Sequence, residues 1–523
     1  MNARQAVARL EAFKAGRPLL CGETTHFLIA DDADILMLAF LRMGGESGPW
    51  AMGFAHPRQT PTILCVPEPR NRDLVAAMVA EFAPVLLEHL RHPDFCDDTI
   101  EGPGHERPHR QVWLPNRAHL EMLHHLAYAY TFTKWGEKAR ARLLNSLGRA
   151  ANWLFNEGHR PGQVTLMPAT SALTESYTFP CETVRQGHLG YLMAWLETKG
   201  DRDARMKAAA AAELKPVSTN LDPTFERDAL APLVEAGNEA EKSNNKRRMS
   251  AIAQQITGEL EPEVLRRIRL VEKAIHVLRR DERQVNPGVS DLRRASASEH
   301  WFQYLRLEQD LNDEKDGPAF TPSPETDRYP AAAASRFFVH EDSEELRVGM
   351  LIHHDADIRA EAVAEGEAIV GTITEVHDEG TGRKTIPVWT IEGDGSGPLR
   401  LREGNKVCVA NVPKRVGTIR QIDQLPNGRR RYEVEITEWL LEKRLPGRRH
   451  IPHAASEVLR DTDVILLKHV VSGLARVKSQ RVWDRTGPGA WLTHQAPRGP
   501  RADLPAGVAE DINAIEKALE GDS

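Results

Sequence analysis

The stretch VGTIRQIDQLPNGRRRYEVEIT, Val416–Thr437, is two alternating runs parted by Pro426, Asn427 and Gly428. In its second half Tyr432, Val434 and Ile436 alternate with Arg431, Glu433 and Glu435, a period of two that gives a strand one apolar and one charged face. The Asn-Gly pair suits the positive φ values of a type I′ turn, so the stretch reads as a β-hairpin. Upstream, EAIVGTITEV (367–376), TIPVWTIE (385–392) and PLRLREGNKVCVAN (398–411) repeat the short alternation between Gly, Pro and Asn breaks. Strands at this spacing close economically into a five- or six-stranded barrel. The reading is a small all-β, OB- or SH3-like barrel over residues 337–445.

Charge concentrates in the same segment. Residues 383–431 hold eleven Lys or Arg against Glu392, Asp394, Glu403 and Asp423, a local surplus in a chain whose net charge is -7. Trp389, Tyr432 and Trp439 add rings that stack on bases when exposed. The expected nucleic-acid interface is Lys414, Arg415, Arg429, Arg430 and Arg431 on phosphates, with Trp389 and Tyr432 stacking. The competing expectation is a rim whose arginines pair with acids of the protein itself. Salt-sensitive affinity separates the two.

Working outward, DEKDGPAFTPSPETDRYPAAAASR mixes Pro, Gly and charge without periodicity, which marks residues 313–336 as a Pro-rich linker. Residues 116–312 read as mainly helical. NRAHLEMLHHLAYAYTF and EKARARLLNSLGRAANWLF flank Gly136, and Val264, Ile268, Val271, Ile275 and Leu278 form one apolar stripe on a later helix. Residues 1–115 read as α/β: THFLIA, WAMGFA and TPTILCV suit strands, and NRDLVAAMVAEFAPVLLEHL suits a helix opened by Asn71 and kinked or divided at Pro84. A first helix carries Ala6, Leu10 and Phe13 as a stripe for a sheet. Beyond the barrel, residues 446–523 form a mixed segment. SEVLRDTDVILLKHVVSGLARV fits strand or helix, whereas Val508, Ile512, Ile515 and Leu519 recur at helical spacing. The fold class is therefore a multidomain α/β plus α-helical body with a C-terminal small barrel.

A chain of 523 residues holds more than one core. The acidic balance argues against a surface basic all over. No apolar run reaches the ~18 to 20 residues that a bilayer span requires, and five scattered cysteines offer neither a disulfide framework nor a thiolate zinc knuckle. A cytoplasmic protein without a membrane partner is the expectation.

Chemistry-bearing patterns are few. GPGHERPHRQVW, Gly102–Trp113, holds His105 and His109 at the H-E-x-x-H spacing of helical zinc sites, but Pro108 inside the turn opposes the helix that this chemistry needs. Glu121 and His124, with His119 and His125 beside them, supply half of a di-metal bundle site. Asp31, Asp32 and Asp34 in FLIADDADILML follow an expected strand, where carboxylates either hold magnesium against phosphate or cap a helix. Cys181 behind Pro180 is a thiol that a helix dipole would activate. No G-x-S-x-G, dinucleotide or P-loop signature occurs, so no nucleotide cofactor is signalled.

The leading expectation is a non-motor nucleic-acid-binding subunit of a bacterial-type nucleic-acid-processing assembly, acting on DNA or RNA beside a protein partner such as a helicase or nuclease. One alternative is a divalent-metal-dependent hydrolase of phosphate esters built on Asp31, Asp32, Asp34 and His124. The other is a protein–protein scaffold.

Overall fold

The computed structural model describes residues 3–44, 48–90, 110–289, 292, 343–379, 386–410, 412–438 and 461–468. The histidine pair His105 and His109, the linker 313–336, Trp439 and the helix expected over 508–519 lie outside the described residues.

The N-terminal body opens with α1 (Ala3–Ala15), β1 (Leu19–Leu20), β2 (Ile35–Arg42), β3 (Pro49–Ala55), β4 (Thr62–Cys65), α2 (Arg72–Leu90) and β5 (Gln111–Leu114). It continues with α3 (Arg117–Tyr130), α4 (Lys138–Gly158), β6 (Leu166–Pro168), α5 (Ala169–Ser176), β7 (Tyr177–Thr178), α6 (Leu189–Glu197), α7 (Arg202–Glu213), α8 (Ala231–Lys242) and α9 (Lys246–Leu278). A five-stranded mixed sheet runs in the order β4-β3-β2-β5-β6, with β2, β5 and β6 parallel. β2 and β3 are buried almost throughout, which explains why they read as continuous apolar runs. The stripe Val264, Ile268, Val271, Ile275 and Leu278 is buried as expected. Gly53 lets α9 approach β3: a Cβ there would stand 2.4 Å from Val264 Cγ1 and 2.8 Å from Ile268 Cδ1.

Three local expectations change. THFLIA is not a strand: its backbone bonds go to separate partners, with Gln111 accepting from the Ala30 amide at 3.0 Å and donating to the Leu28 carbonyl at 2.8 Å, Thr25 paired to the backbone of Gln284 and Asn286, and Arg279 donating to the Ala30 carbonyl. α2 runs unbroken through Pro84. Phe82, Ala83, Leu86 and Leu87 are all buried around it, and burial at ~1.5 to 3 kcal/mol for each large side chain offsets a proline cost of ~3 kcal/mol. α1 does not lay Leu10 and Phe13 on a sheet; they are 51% and 45% exposed. Phe13 lies instead under the Arg202 guanidinium at 3.8 Å, and Ala12 supplies the buried contact.

Residues 343–351 are helical, and α10 (Ala356–Glu365) leads into a closed six-stranded antiparallel barrel. Its strands are β8 (Ala368–Glu379), β9 (Ile386–Asp394), β10 (Lys406–Val409), β11 (Val412–Gln424), β12 (Arg429–Glu438) and β13 (Asp463–Lys468), in the order β10-β11-β12-β9-β8-β13. The ambiguous segment after residue 445 supplies β13, which pairs with both β8 and β10 and so closes the barrel. Ile373, Trp389, Ile391, Ile419, Tyr432 and Val434 fill its interior.

Candidate active site

Arg429, Arg430 and Arg431 are already engaged by groups of the barrel itself. Arg429 faces Asp394 across β9, and Arg431 faces Glu392 on β9 and Asp423 on β11. Arg431 reaches Glu392 at 2.9 Å and Arg429 reaches the same carboxylate at 3.7 Å. Arg420 bridges Glu379 at 2.7 Å and Glu435 at 2.9 Å. Arg430 donates to the Gln424 side chain and the Gly397 carbonyl. This is a cross-strand ladder that fixes register. Trp389 and Tyr432, expected to stack on bases, are 1% and 3% exposed in the barrel core. The alternation that identified β12 carries the reason, since Tyr432 shares the inward face with Val434 and Ile436. Arg415 sits 5.9 Å from the centre of the Trp389 ring. Lys414 lies on β11, with its side chain outside the described residues.

The acidic cluster stands elsewhere than expected. Asp32–Asp34 form one 3-10 turn ahead of β2, at its amino end rather than behind a strand, and Asp31 makes no capping hydrogen bond with its side chain. Asp32 is bonded by Arg279 and lies 3.0 Å from Arg58; Arg110 lies 3.3 Å from Asp34. Bonding to Arg279 holds the Asp32 carboxyl below its ordinary range. Asp32 and Asp34 already have cations.

The histidines of α3 diverge. His119 is fully buried; its Nδ1 accepts from the Phe40 amide at 3.0 Å and its Nε2 meets the Val217 carbonyl at the same distance. Burial pushes its pKa down to about 3, so it is a neutral cross-link. His124 stacks on Phe155 with 4.4 Å between ring centres, and Glu121 is exposed. His159 bonds the Phe155 carbonyl, while His188 caps α6. Among the described residues, no group of three or more His, Cys, Asp or Glu is placed to hold a metal ion. Cys181 is not activated either: burial pushes its thiol up to about 11.

A different group converges where α5 ends. Asp355, fully buried at the start of α10, accepts at Oδ1 from the amides of Asp357 and Ile358 at 2.9 and 3.2 Å. Its Oδ2 accepts from Thr24 Oγ1 at 3.0 Å and meets His26 Nε2 at 2.7 Å. Burial opposes the charge of Asp355, yet the bonds from His26, Ile358 and Thr24 prevail and hold its carboxyl at about 2. An ionised carboxylate only accepts, so His26 donates to Asp355 through Nε2–H, which leaves Nδ1 as the nitrogen open to another partner. That Nδ1 has no partner among the described residues, and the side chain is 23% exposed.

His26 lies within electrostatic reach of Glu175 in the last turn of α5. Glu175 is solvent-exposed, yet surrounding protein desolvates it enough to raise its carboxyl pKa against the opposing pull of Arg347, His26 and Arg117. The negative end of a helix adds to the effect. Glu175 and the exposed Arg117 have no hydrogen bond or ion pair among the described residues. Arg117 opens α3 immediately beyond the carboxyl end of β5, the end of a parallel sheet where ligands gather. Arg347 is committed to Glu344 through two bonds, of 2.8 and 2.6 Å.

None of these four residues was singled out in the sequence. The one local signal is Asp355, which reads as a cap before ADIRAEAVAE; His26, Arg117 and Glu175 carry no motif. No family model, curated protein or solved structure matches the chain.

Proposed function

We propose that this chain is a general acid–base enzyme whose N-terminal body carries the reacting groups. His26 acts as the base through Nδ1, Asp355 positions it, and the Glu175 carboxyl is the proton donor. The reading rests on one observation: an imidazole bonded through Nε2 to a fully buried carboxylate, with no partner for its other nitrogen among the described residues. A carboxylate that orients an imidazole in this way is the arrangement of a positioned general base. Imidazole 15N spectra at pH 8 test the geometry, with the Nε2-protonated tautomer expected. A panel of chromogenic esters tests the chemistry, with turnover lost in His26→Gln. An Nδ1-protonated ring, or turnover indifferent to His26, overturns the reading.

A second reading keeps the barrel as a nucleic-acid-binding surface. It rests on Arg402 and Lys406, exposed and without an ion pair among the described residues. Oligonucleotide affinity would fall linearly with log salt; no measurable affinity at low salt ends it.

A further inference from the structure

We infer that the C-terminal segment of this chain, residues 505–523, docks on the exposed face of α1 and covers it. α1 distributes its side chains in an inverted order. Its buried contact is the methyl group of Ala12, whereas the large apolar side chains Val7, Leu10 and Phe13 are exposed, turned away from that contact. A surface helix normally packs its large apolar side chains inward, so this stripe is a face left to another segment. Two contacts bring further apolar side chains beside it. Arg9 donates to Thr183 Oγ1 at 3.3 Å, which sets the exposed Val184 at the flank of α1. Arg202 lies over the Phe13 ring at 3.8 Å, and Met206, one turn further along α7, is exposed as well. The apolar surface thus spans α1, the 3-10 turn Thr183–Gly187 and α7.

Sequence, charge and tether select the occupant. Val508, Ile512, Ile515 and Leu519 recur at helical spacing, the pattern that complements a single apolar stripe. The segment is acidic, with Glu510, Asp511, Glu516, Glu520 and Asp522 against Lys517, while α1 and the residues just after it carry Arg9, Lys14 and Arg17 against Glu11. Residues 469–507 tether it to β13 and extend to ~130 Å at most. A chain of this length has a radius of gyration of about 24 Å, so reach sets no limit. Five apolar side chains fall well short of the roughly 20 residues that a separate protein engages on each side. A tethered segment needs fewer, because its effective concentration is on the order of millimolar.

The test uses the full chain with two introduced thiols, Leu10→Cys and Ile515→Cys, oxidised mildly, with the linked peptides identified by mass spectrometry. A disulfide within one chain should form about tenfold faster or more than in the control pair Tyr128→Cys and Ile515→Cys, since Tyr128 is equally open to solvent but stands on α3. Adding Ile512→Asp should remove that advantage. Equal rates for the two pairs describe a tail that collides without docking and overturn the inference. Links formed only between chains give the face to a second copy, which overturns it too. Binding of the native chain to anionic vesicles that Leu10→Asp abolishes would assign the face to lipid, with the same consequence. Where a cysteine variant fails to fold, hydroxyl-radical footprinting of the native chain decides. Phe13 and Met206 should react several-fold more slowly there than in Ile512→Asp, and equal reactivity overturns the inference.

Discussion

Asp355→Asn isolates the bond on which the candidate site depends. The carboxylate takes two amides on Oδ1 and two side-chain donors on Oδ2. An amide of the same shape accepts on one side only. If its oxygen keeps the cap of α10, its NH2 faces Thr24 and the protonated Nε2 of His26, and the imidazole must move its proton to Nδ1 to accept. The structure holds the Asp355 carboxyl at about 2 against an ordinary 3.8. That difference of about 1.8 pH units, at ~1.4 kcal/mol per unit, corresponds to about 2.5 kcal/mol of preference for the charged form. The group is depressed, so this stability is present above pH 4 and is lost as the pH falls through 4 toward 2. Urea denaturation should place the variant about 2 kcal/mol below the native protein at pH 7, with the gap closing toward pH 2. Turnover should fall on the order of a thousandfold, because the base nitrogen is protonated in the wrong tautomer. Equal stability at pH 7, or a gap that stays constant from pH 7 to pH 2, would refute the reasoning.

Three further outcomes follow from the framework that holds the site. His119 titrates at about 3 when folded and near 6.5 when unfolded, so the unfolded chain binds the proton first as the pH falls. Stability should drop by about 1.4 kcal/mol per pH unit between those values, and His119→Gln should remove one proton from the slope of urea midpoint against pH. Glu392 and Arg431 are 17% and 43% exposed at their side chains, so a double-mutant cycle should return a coupling of about 0.5 to 1 kcal/mol that shrinks in salt. Gly53→Val drives atoms into Val264 and Ile268 and should cost about 3 kcal/mol, read as a lowered melting temperature.

What the sequence revealed depended on how local the determining contacts were. The pairing of the 416–437 hairpin was legible through its alternation: Ile422 lies opposite Tyr432 and Gln424 opposite Arg430. The turn is not the expected type I′, because only Gly428 has a positive φ, at +81, and the loop is the three residues Pro426–Gly428 closed between Leu425 and Arg429. The α9 stripe was legible through its period. The charge surplus of the barrel did not reveal its ion pairs, because counting residues does not count pairs. Cross-strand opposition puts Glu392 beside Arg431 although 39 positions separate them. The partners of Asp32 were hidden in the same way, its cations Arg58 and Arg279 coming from a loop and from just beyond α9. THFLIA has its backbone bonded by distant groups, among them a glutamine 83 positions after Leu28.

The candidate site is the extreme case of this rule. Its histidine and the carboxylate that holds it come from positions 26 and 355, 329 residues apart, so no spacing could announce it. They meet because the backbone around His26 is tied from several sides. Thr25 bonds Gln284 and Asn286, Arg283 donates to the Cys21 carbonyl, and Asn286 reaches the Leu351 carbonyl at 2.9 Å. Asp355 belongs to the same knot and also caps the helix that runs into β8. One carboxylate thus fixes the tautomer of His26 and the start of the path into the barrel. A disturbance of the α10 cap must therefore reach His26 through a single hydrogen bond, and Thr24→Val offers the mild version of that disturbance. It removes one donor to Asp355 Oδ2 and leaves the His26 bond intact. The expected result is a stability loss of about 1 kcal/mol with turnover nearly unchanged. A loss of turnover as large as that of Asp355→Asn would mean that the knot, rather than the histidine tautomer, sets the activity.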